Sequence, residues 1–447
     1  MTVLRRKERV YYTAVLLSAL ICWSPFNALA YAAPFIVLAF LTLLGGDAHL
    51  LKRTAVWILF WTGAVAFYGL VNQEFQFGNA FVAFVTWAGV VIILLIPSRG
   101  IGSQELRQKV ERIAWMLLAV ESVWGIMQGL YGYTRTGTFD LATGDYVEGT
   151  IHPWLEAELA YSNVMFAINI ALLLLFLLPA VWRRPTTKRV AIYSLGMLAF
   201  VMASVVHAIL FLIVAGGVSA LLVYGKRLRL SRMIGFATIF GAIVLLTWVF
   251  LPRNLGTVRA FALQILRGEV PKSVSVITAL TEMPHEYWYL PVIGLGPGQY
   301  ASRAGLISTG LYFGGLQTPK EVPFLPNQLT ESQAKYLLPL WEWHASVQYF
   351  GSTQKPYFSW LAVYTEWGLL GWLVVVVMVV VLLRNVRNLL LTYDKEKFVL
   401  IAAIVFIFLL GFQENNWEVP QAWFSGLLFL KVLYANGVWW DKFVRTS

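Results

Sequence analysis

The sequence predicts an all-α, polytopic integral membrane protein with about twelve transmembrane helices and one large helical loop. Three observations lead there. Hydrophobic residues make up 59% of the 447 residues and charged residues only 13%. The charges are nearly absent from a dozen stretches, and Lys and Arg gather in every second gap between those stretches. A spanning helix needs about 20 predominantly apolar residues, and lipid offers the backbone no hydrogen-bond partner outside its own segment.

In chain order the predicted spans are 11–27, 28–46, 54–71, 79–97, 110–133, 160–182, 187–206, 207–225, 232–251, 366–384, 397–413 and 419–437. The first two divide one apolar run at Ser24-Pro25-Phe26-Asn27, and the seventh and eighth abut. This gives an N-terminal bundle of about nine spans (1–251), a loop (252–365) and a C-terminal group of about three spans (366–447).

Basic residues in short loops set orientation. The N-terminus carries Arg5, Arg6, Lys7 and Arg9, and alternate gaps carry Lys52 and Arg53, then Arg107 and Lys109, then Arg183 and Lys188. The later members of the series are Lys226 and Arg227, Arg384 and Lys395, and Lys442 and Arg445. The intervening gaps hold most of the acids, among them Glu74, Asp140, Asp145, Glu414 and Glu418. Both termini are therefore expected in the cytoplasm, with the 252–365 loop facing outward. The net charge of +11 then reflects cytoplasmic loops against an anionic leaflet, not a nucleic-acid partner. The single cysteine, Cys22, lies inside the first span, so no disulfide framework or Cys-rich metal site is expected. The apolar start is too long for a removable signal peptide and lacks its small-residue cleavage site.

The 252–365 loop is several times longer than structureless connectors, which rarely exceed about 12–15 residues. It must carry structure. Short apolar runs at Arg259–Arg267, Ser273–Glu282, Ala301–Leu311 and Ser332–Trp341 read as short helices, several at the membrane interface. Trp341, Trp343 and Tyr357 suit either the headgroup level or the face of a sugar. Eight bases, including Arg259, Arg267, Lys272 and Arg303, and seven acids on one outward loop point to a polar site above the lipid, or to simple solvation.

The stretch Gly294-Leu-Gly-Pro-Gly-Gln-Tyr300 has no preceding strand and no following Walker lysine, which argues against a nucleotide cradle. It reads as a tight turn that re-aims the chain before Arg303. Arginine suits a diphosphate because its planar fork donates two parallel hydrogen bonds and stays charged; an interfacial arginine is the alternative. Glu366 stands at the mouth of the tenth span, as a helix-end anchor or a proton acceptor. His344, between Trp343 and Ala345, is either a general base or a hydrogen-bonded interfacial histidine. His207 and Glu121, inside apolar spans, are expected to make bundle hydrogen bonds, and His152 belongs to a second, shorter outward segment from about Thr134 to Glu158. No clustered metal-ligand spacing appears, so neither metal nor cofactor is expected.

Taken together, these features resemble the O-antigen polymerase/ligase superfamily of bacterial inner membranes. The resemblance rests on the 10–12-span layout, the large outward loop late in the chain, the Gly294–Tyr300 turn inside it, and Leu361–Gly371, with its Glu and GxxG, closing it. It implies a GT-C-like glycosyltransferase of exopolysaccharide type, acting without nucleotide sugar or metal. The glycan would pass from undecaprenyl diphosphate to the hydroxyl of another lipid-linked repeat unit. Implied partners are that oligosaccharide carrier, the bilayer, and flippase and chain-length regulator proteins. Carried onto this chain, Arg303 is the first diphosphate ligand, with Arg267, Arg259 and Lys272 behind it. Glu366 or His344 would take the proton, and Trp341, Trp343 and Tyr357 would contact sugar. Two departures stand out. The ligase branch carries a His eleven residues before the first Gly of the GxxG, where this chain has Tyr357; and Ser204-Val-Val-His207 stands where an arginine is often found. Both favour a polymerase over a ligase. A lipid-linked glycan transporter is the alternative of another class, and the chain lacks the paired, Gly/Pro-broken segments in two related halves that transporters usually show.

Overall fold

The computed structural model describes residues 2–98, 101–156, 162–225, 252–310, 328–346, 355–389 and 394–446, together with Gly241, Leu245 and Trp248. The predicted span at 232–251 lies outside the described residues apart from those last three. Among the described residues every regular element is helical and no strand occurs.

Among the described residues six helices are long and apolar enough to cross a membrane: Ala48–Val71, Phe77–Leu95, Gln104–Thr136, Ser162–Arg183, Val206–Tyr224 and Ser359–Arg387. The other predicted spans lie in helices that miss this standard for visible reasons. Thr2–Cys22 opens with a basic cluster, and Thr187–Met202 and Asp394–Leu410 reach only 16 and 17 residues. The second predicted span breaks into Asn27–Ala30, Ala33–Ala39 and a π-turn at Phe40–Leu44, and Pro420–Thr446 carries Lys431, Asp441, Lys442 and Arg445. The abutting seventh and eighth spans are separated by Ser204, which adopts a left-handed φ of 59°.

Local sequence explains several boundaries. Asp47 accepts the Leu50 amide at 3.2 Å, and Ser103 that of Leu106 at 3.1 Å, each satisfying an orphan donor of a helix start. Gly137, at φ 72°, closes the 104–136 helix in the left-handed cap that glycine adopts without strain.

The centre of the bundle is Ser162–Arg183, whose most apolar window is 89% buried, whereas that of Ser359–Arg387 is only 6% buried. The first is wrapped by Thr187–Met202, Asp394–Leu410 and Pro420–Thr446; the second is buried over its first turns and along its remaining length alternates half-buried with exposed residues. Asn169 shows why the central helix tolerates an amide: its Nδ2 donates to Gln421 O at 2.7 Å.

The inter-helix segments sort to two ends. At one end Arg107 and Arg183 both pair with the buried Glu396, and Lys395 reaches Trp182 O at 3.1 Å. At the other, Thr150 donates to Trp23 O at 2.7 Å and Gln421 to Ser24 O at 2.9 Å. Asn72 binds Leu295 O at 2.9 Å at that same end, so the segments between helices meet the large loop there. Glu121 accepts the Thr150 amide at 2.9 Å and His152 pairs with Glu148, which fixes the shorter segment to the bundle.

The large loop folds as short helices at Pro252–Arg267, Pro271–Thr281, Met283–Glu286, Leu290–Ile293 and Arg303–Ser308, then a π-turn at Gln333–Leu337 running into Leu338–Ser346. Its apolar side chains Met283, Leu290, Tyr300 and Leu337 pack with Trp360, Leu361 and Trp417 into a core separate from the main one.

Candidate functional site: a buried ionic cluster under the loop

The Gly294–Tyr300 turn wraps around the start of the 359–387 helix. Gly294, Gly296 and Gly298 take φ of 79°, 104° and 78°, where L side chains are strained. A Cβ on Gly294 would strike the backbone of Glu366 and Trp367, so the turn can approach the helix only without one. The helix reciprocates with Gly368, at φ 63°, pressed on the Val292 carbonyl.

Glu366 locks this turn. Its carboxylate accepts the backbone N–H groups of Gly298 at 2.7 Å, Ser302 at 3.0 Å and Tyr300 at 3.2 Å, and its own carbonyl accepts from Gly296 at 3.0 Å. The residue is 1% exposed.

The locked turn delivers Ser302 and Arg303. Ser302 caps the short helix by accepting the Gly305 amide at 3.1 Å, and Arg303 is its first residue. The Arg303 backbone N–H donates to Glu418 at 3.0 Å, and its guanidinium lies beside the Tyr31 hydroxyl and the Glu418 carboxylate. Glu418 also accepts from Thr86 at 3.2 Å. Burial, reinforced by the charge of nearby Glu366, pushes Glu418 up to about 8.

A second group adjoins the first. Lys272 is buried, donates to Gln413 O and lies 5.2 Å over the Phe358 ring. Lys355 binds Glu414 at 2.8 Å, and the other Glu414 oxygen is buried without a hydrogen bond among the described residues. Glu414 and Lys355 both act on Lys272, and all three act on His344. Tyr357 senses Glu414 and Arg303, which connects the two groups. Asn415 Nδ2 donates to Ala301 O at 2.9 Å, tying the 413–418 turn to the segment before Arg303. Trp341 stacks on Tyr357 at 5.1 Å and meets His344 at 5.6 Å.

Charge states follow from burial. Loss of hydration disfavours a cation, so Lys272 falls to about 7, with Glu414 opposing the shift and Lys355 adding to it. His344 falls to about 4, first by burial and then by the Lys355 charge, and is neutral at pH 7. At neutral pH the group thus holds a lysine close to its titration midpoint, Lys272, beside an uncharged imidazole.

A pH prediction follows for Lys272. Its ordinary value is 10.5, so between about 7 and 10.5 the unfolded chain binds more protons than the folded one. Stability therefore rises with pH across that window. Glu418 acts in the opposite sense between 4.5 and about 8, so the Lys272 effect is read above pH 8, as the difference between wild type and Lys272→Met. From pH 8 to 10 the melting temperature of purified wild type is expected to gain on that of Lys272→Met. An equal change with pH in the variant would refute the assignment.

No protein-family model, curated protein or solved structure matches this chain. The site therefore rests on its geometry.

Of the residues singled out by sequence, Lys272, Arg303, His344, Trp341 and Tyr357 meet in this cluster. Glu366 adjoins it with its carboxylate turned to the backbone. Arg267 and Trp343 are exposed, and no contact to the cluster is described for either. Arg259 lies on the 252–267 helix, but its side chain is outside the described residues. Sequence reasoning missed Lys355, Glu414 and Glu418 as site members. The signal was available in Gln413-Glu-Asn-Asn-Trp-Glu418: two acids and three amides in six residues between two apolar helices. His207, on the 206–224 helix, is near enough for Lys272 to act on it and belongs to the rim.

Proposed function

We propose that the chain is a multi-pass inner-membrane glycosyltransferase with about twelve spans and GT-C-like architecture, which polymerises glycan repeat units carried on undecaprenyl diphosphate. The observation that supports this most is the burial of Lys272 and Arg303, with half-buried Lys355, beside His344 and Glu414, beneath a folded loop and above an apolar bundle. Cations in a water-poor site suit a diphosphate. As the bond from the anomeric carbon to the diphosphate oxygen breaks, the departing oxygen gains charge that fixed cations stabilise. The acceptor hydroxyl forms the new bond to that carbon and gives its proton to neutral His344 or to the unbonded Glu414 oxygen. Trp341 and Tyr357 offer ring faces to a sugar. Glu366, spending its carboxylate on three backbone amides, fits the anchoring role better than the proton-accepting one.

A second reading, glycan transfer to lipid A core or protein, draws support from one contact. Tyr357 occupies the position of the ligase histidine, and Trp341 bridges it to His344, so an imidazole reaches that place from another segment. Products separate the two. Purified protein given single repeat units on undecaprenyl diphosphate, without nucleotide sugar, is expected to release undecaprenyl diphosphate and build longer lipid-linked chains. Transfer only to added lipid A core would favour the ligase, and no transfer to either acceptor would refute both.

A further inference from the structure

A cavity of about 1060 Å³ lies between the helices Phe77–Leu95, Ser359–Arg387, Asp394–Leu410 and Pro420–Thr446. It is at the upper limit of ligand pockets, which run to roughly 1,000 Å³. Its walls are aliphatic, with Val90, Val375, Met378, Ile404 and Leu427 among them. One end reaches Trp87 and Trp417, beside Glu418; the other is lined by Lys7, Asp47, His49, Arg53 and Lys431.

The charge at that second end is unbalanced. Lys7 and Asp47 pair at 3.4 Å and cancel. Arg53 and Lys431 have no carboxylate partner among the described residues. Arg53 donates to Leu95 O at 3.3 Å and Lys431 to Ile93 O at 3.2 Å, both carbonyls at the C-terminal end of the 77–95 helix. The two cations are near enough to repel each other. Carbonyl partners explain where the cations sit, but they leave two like charges around an apolar cavity, one of them on a half-buried lysine. Buried charges are ordinarily paired.

We propose that this cavity is a binding site for an anionic phospholipid, whose phosphate lies between Arg53 and Lys431 and whose acyl chains fill the aliphatic groove. The groove takes the chains because one wall is the 359–387 helix, most of which stands away from the bundle. The phosphate supplies the missing counter-charge. A phospholipid of the cytoplasmic leaflet fits better than the prenyl donor, because the cations lie at the end away from Arg303 and Lys272. The choice of leaflet rests on the orientation read from basic residues; the binding itself does not rest on glycan transfer.

The test is native mass spectrometry of the purified full chain after exchange into micelles doped with phosphatidylglycerol or phosphatidylcholine. Wild type is expected to retain phosphatidylglycerol preferentially, and the double substitution Arg53→Gln with Lys431→Met to lose about 25-fold of that preference, about fivefold per cation. Arg303→Ala should keep the preference whether or not it transfers glycan, which separates this proposal from the functional one. If the double variant does not fold, Arg53→Gln alone, at an exposed position, is expected to lose about fivefold. Equal retention of both lipids by wild type, undiminished preference in the substituted proteins, or a polyprenyl phosphate displacing phosphatidylglycerol in proportion to its concentration would each overturn the proposal.

Discussion

Arg303→Ala is expected to lower glycan transfer by at least about a hundredfold, the scale on which removal of one preorganised donor to a developing oxyanion acts. Arg303 stands on the first turn of a capped helix and is 4% exposed, with its backbone held by Glu418. Its guanidinium is therefore pre-positioned, and the donor need not order it. Arg303→Lys keeps the charge but loses the planar fork, so it should recover only part of the rate. Transfer assays on the purified variants measure this, and cells carrying Arg303→Ala should accumulate single repeat units. Near-normal polymer from a folded Arg303→Ala protein would remove diphosphate binding from this residue and weaken the functional reading with it.

The contrast between what was legible in the sequence and what was not has a physical origin. Helix positions were legible because the bilayer forces apolar length on any span: the prediction 79–97 meets a helix at Phe77–Leu95, and 160–182 one at Ser162–Arg183. The four short loop helices were legible for a related reason, since Pro and Gly punctuate apolar runs. The charge pattern divides the inter-helix segments into two groups, and the described contacts likewise fall at two ends, Arg107 and Arg183 with Glu396 at one and Thr150 with Trp23 at the other.

The site was half legible. Residue chemistry singled out Arg303, Lys272 and His344, but nothing local joins Lys272 to the 413–418 turn, which is 141 residues away along the chain. Lys355 and Glu414 escaped notice because each looks like a solvated surface charge until the fold pairs them, with Glu414 buried. Arg267 drew attention by residue type alone, and the fold leaves it exposed. Glu366 was legible as important but not as to kind, because its partners are backbone amides 64 to 68 residues upstream. Such donors carry no side-chain signature.

For that reason Glu366 gives the sharpest stability prediction. Glu366→Ala removes the acceptor of three buried N–H groups at once and leaves the Gly294–Tyr300 turn without its lock. Each buried donor left unmade costs about 1–3 kcal/mol, and with some water entering the gap the total is expected at about 3–5 kcal/mol. Glu366→Gln should cost less but not nothing. Gly298 donates to one carboxylate oxygen and Tyr300 and Ser302 to the other, so either amide orientation sets an NH₂ group against a backbone N–H. Denaturation of the purified variants, followed by helical signal, measures both. The pair also divides the two roles open to this residue. A proton acceptor predicts a Gln variant of nearly wild-type stability and abolished transfer. An anchor predicts a loss of stability in both variants, with residual transfer in whatever fraction of Glu366→Gln remains folded at low temperature. Wild-type stability in Glu366→Ala would mean that the turn holds itself, and the delivery of Arg303 would then need another cause.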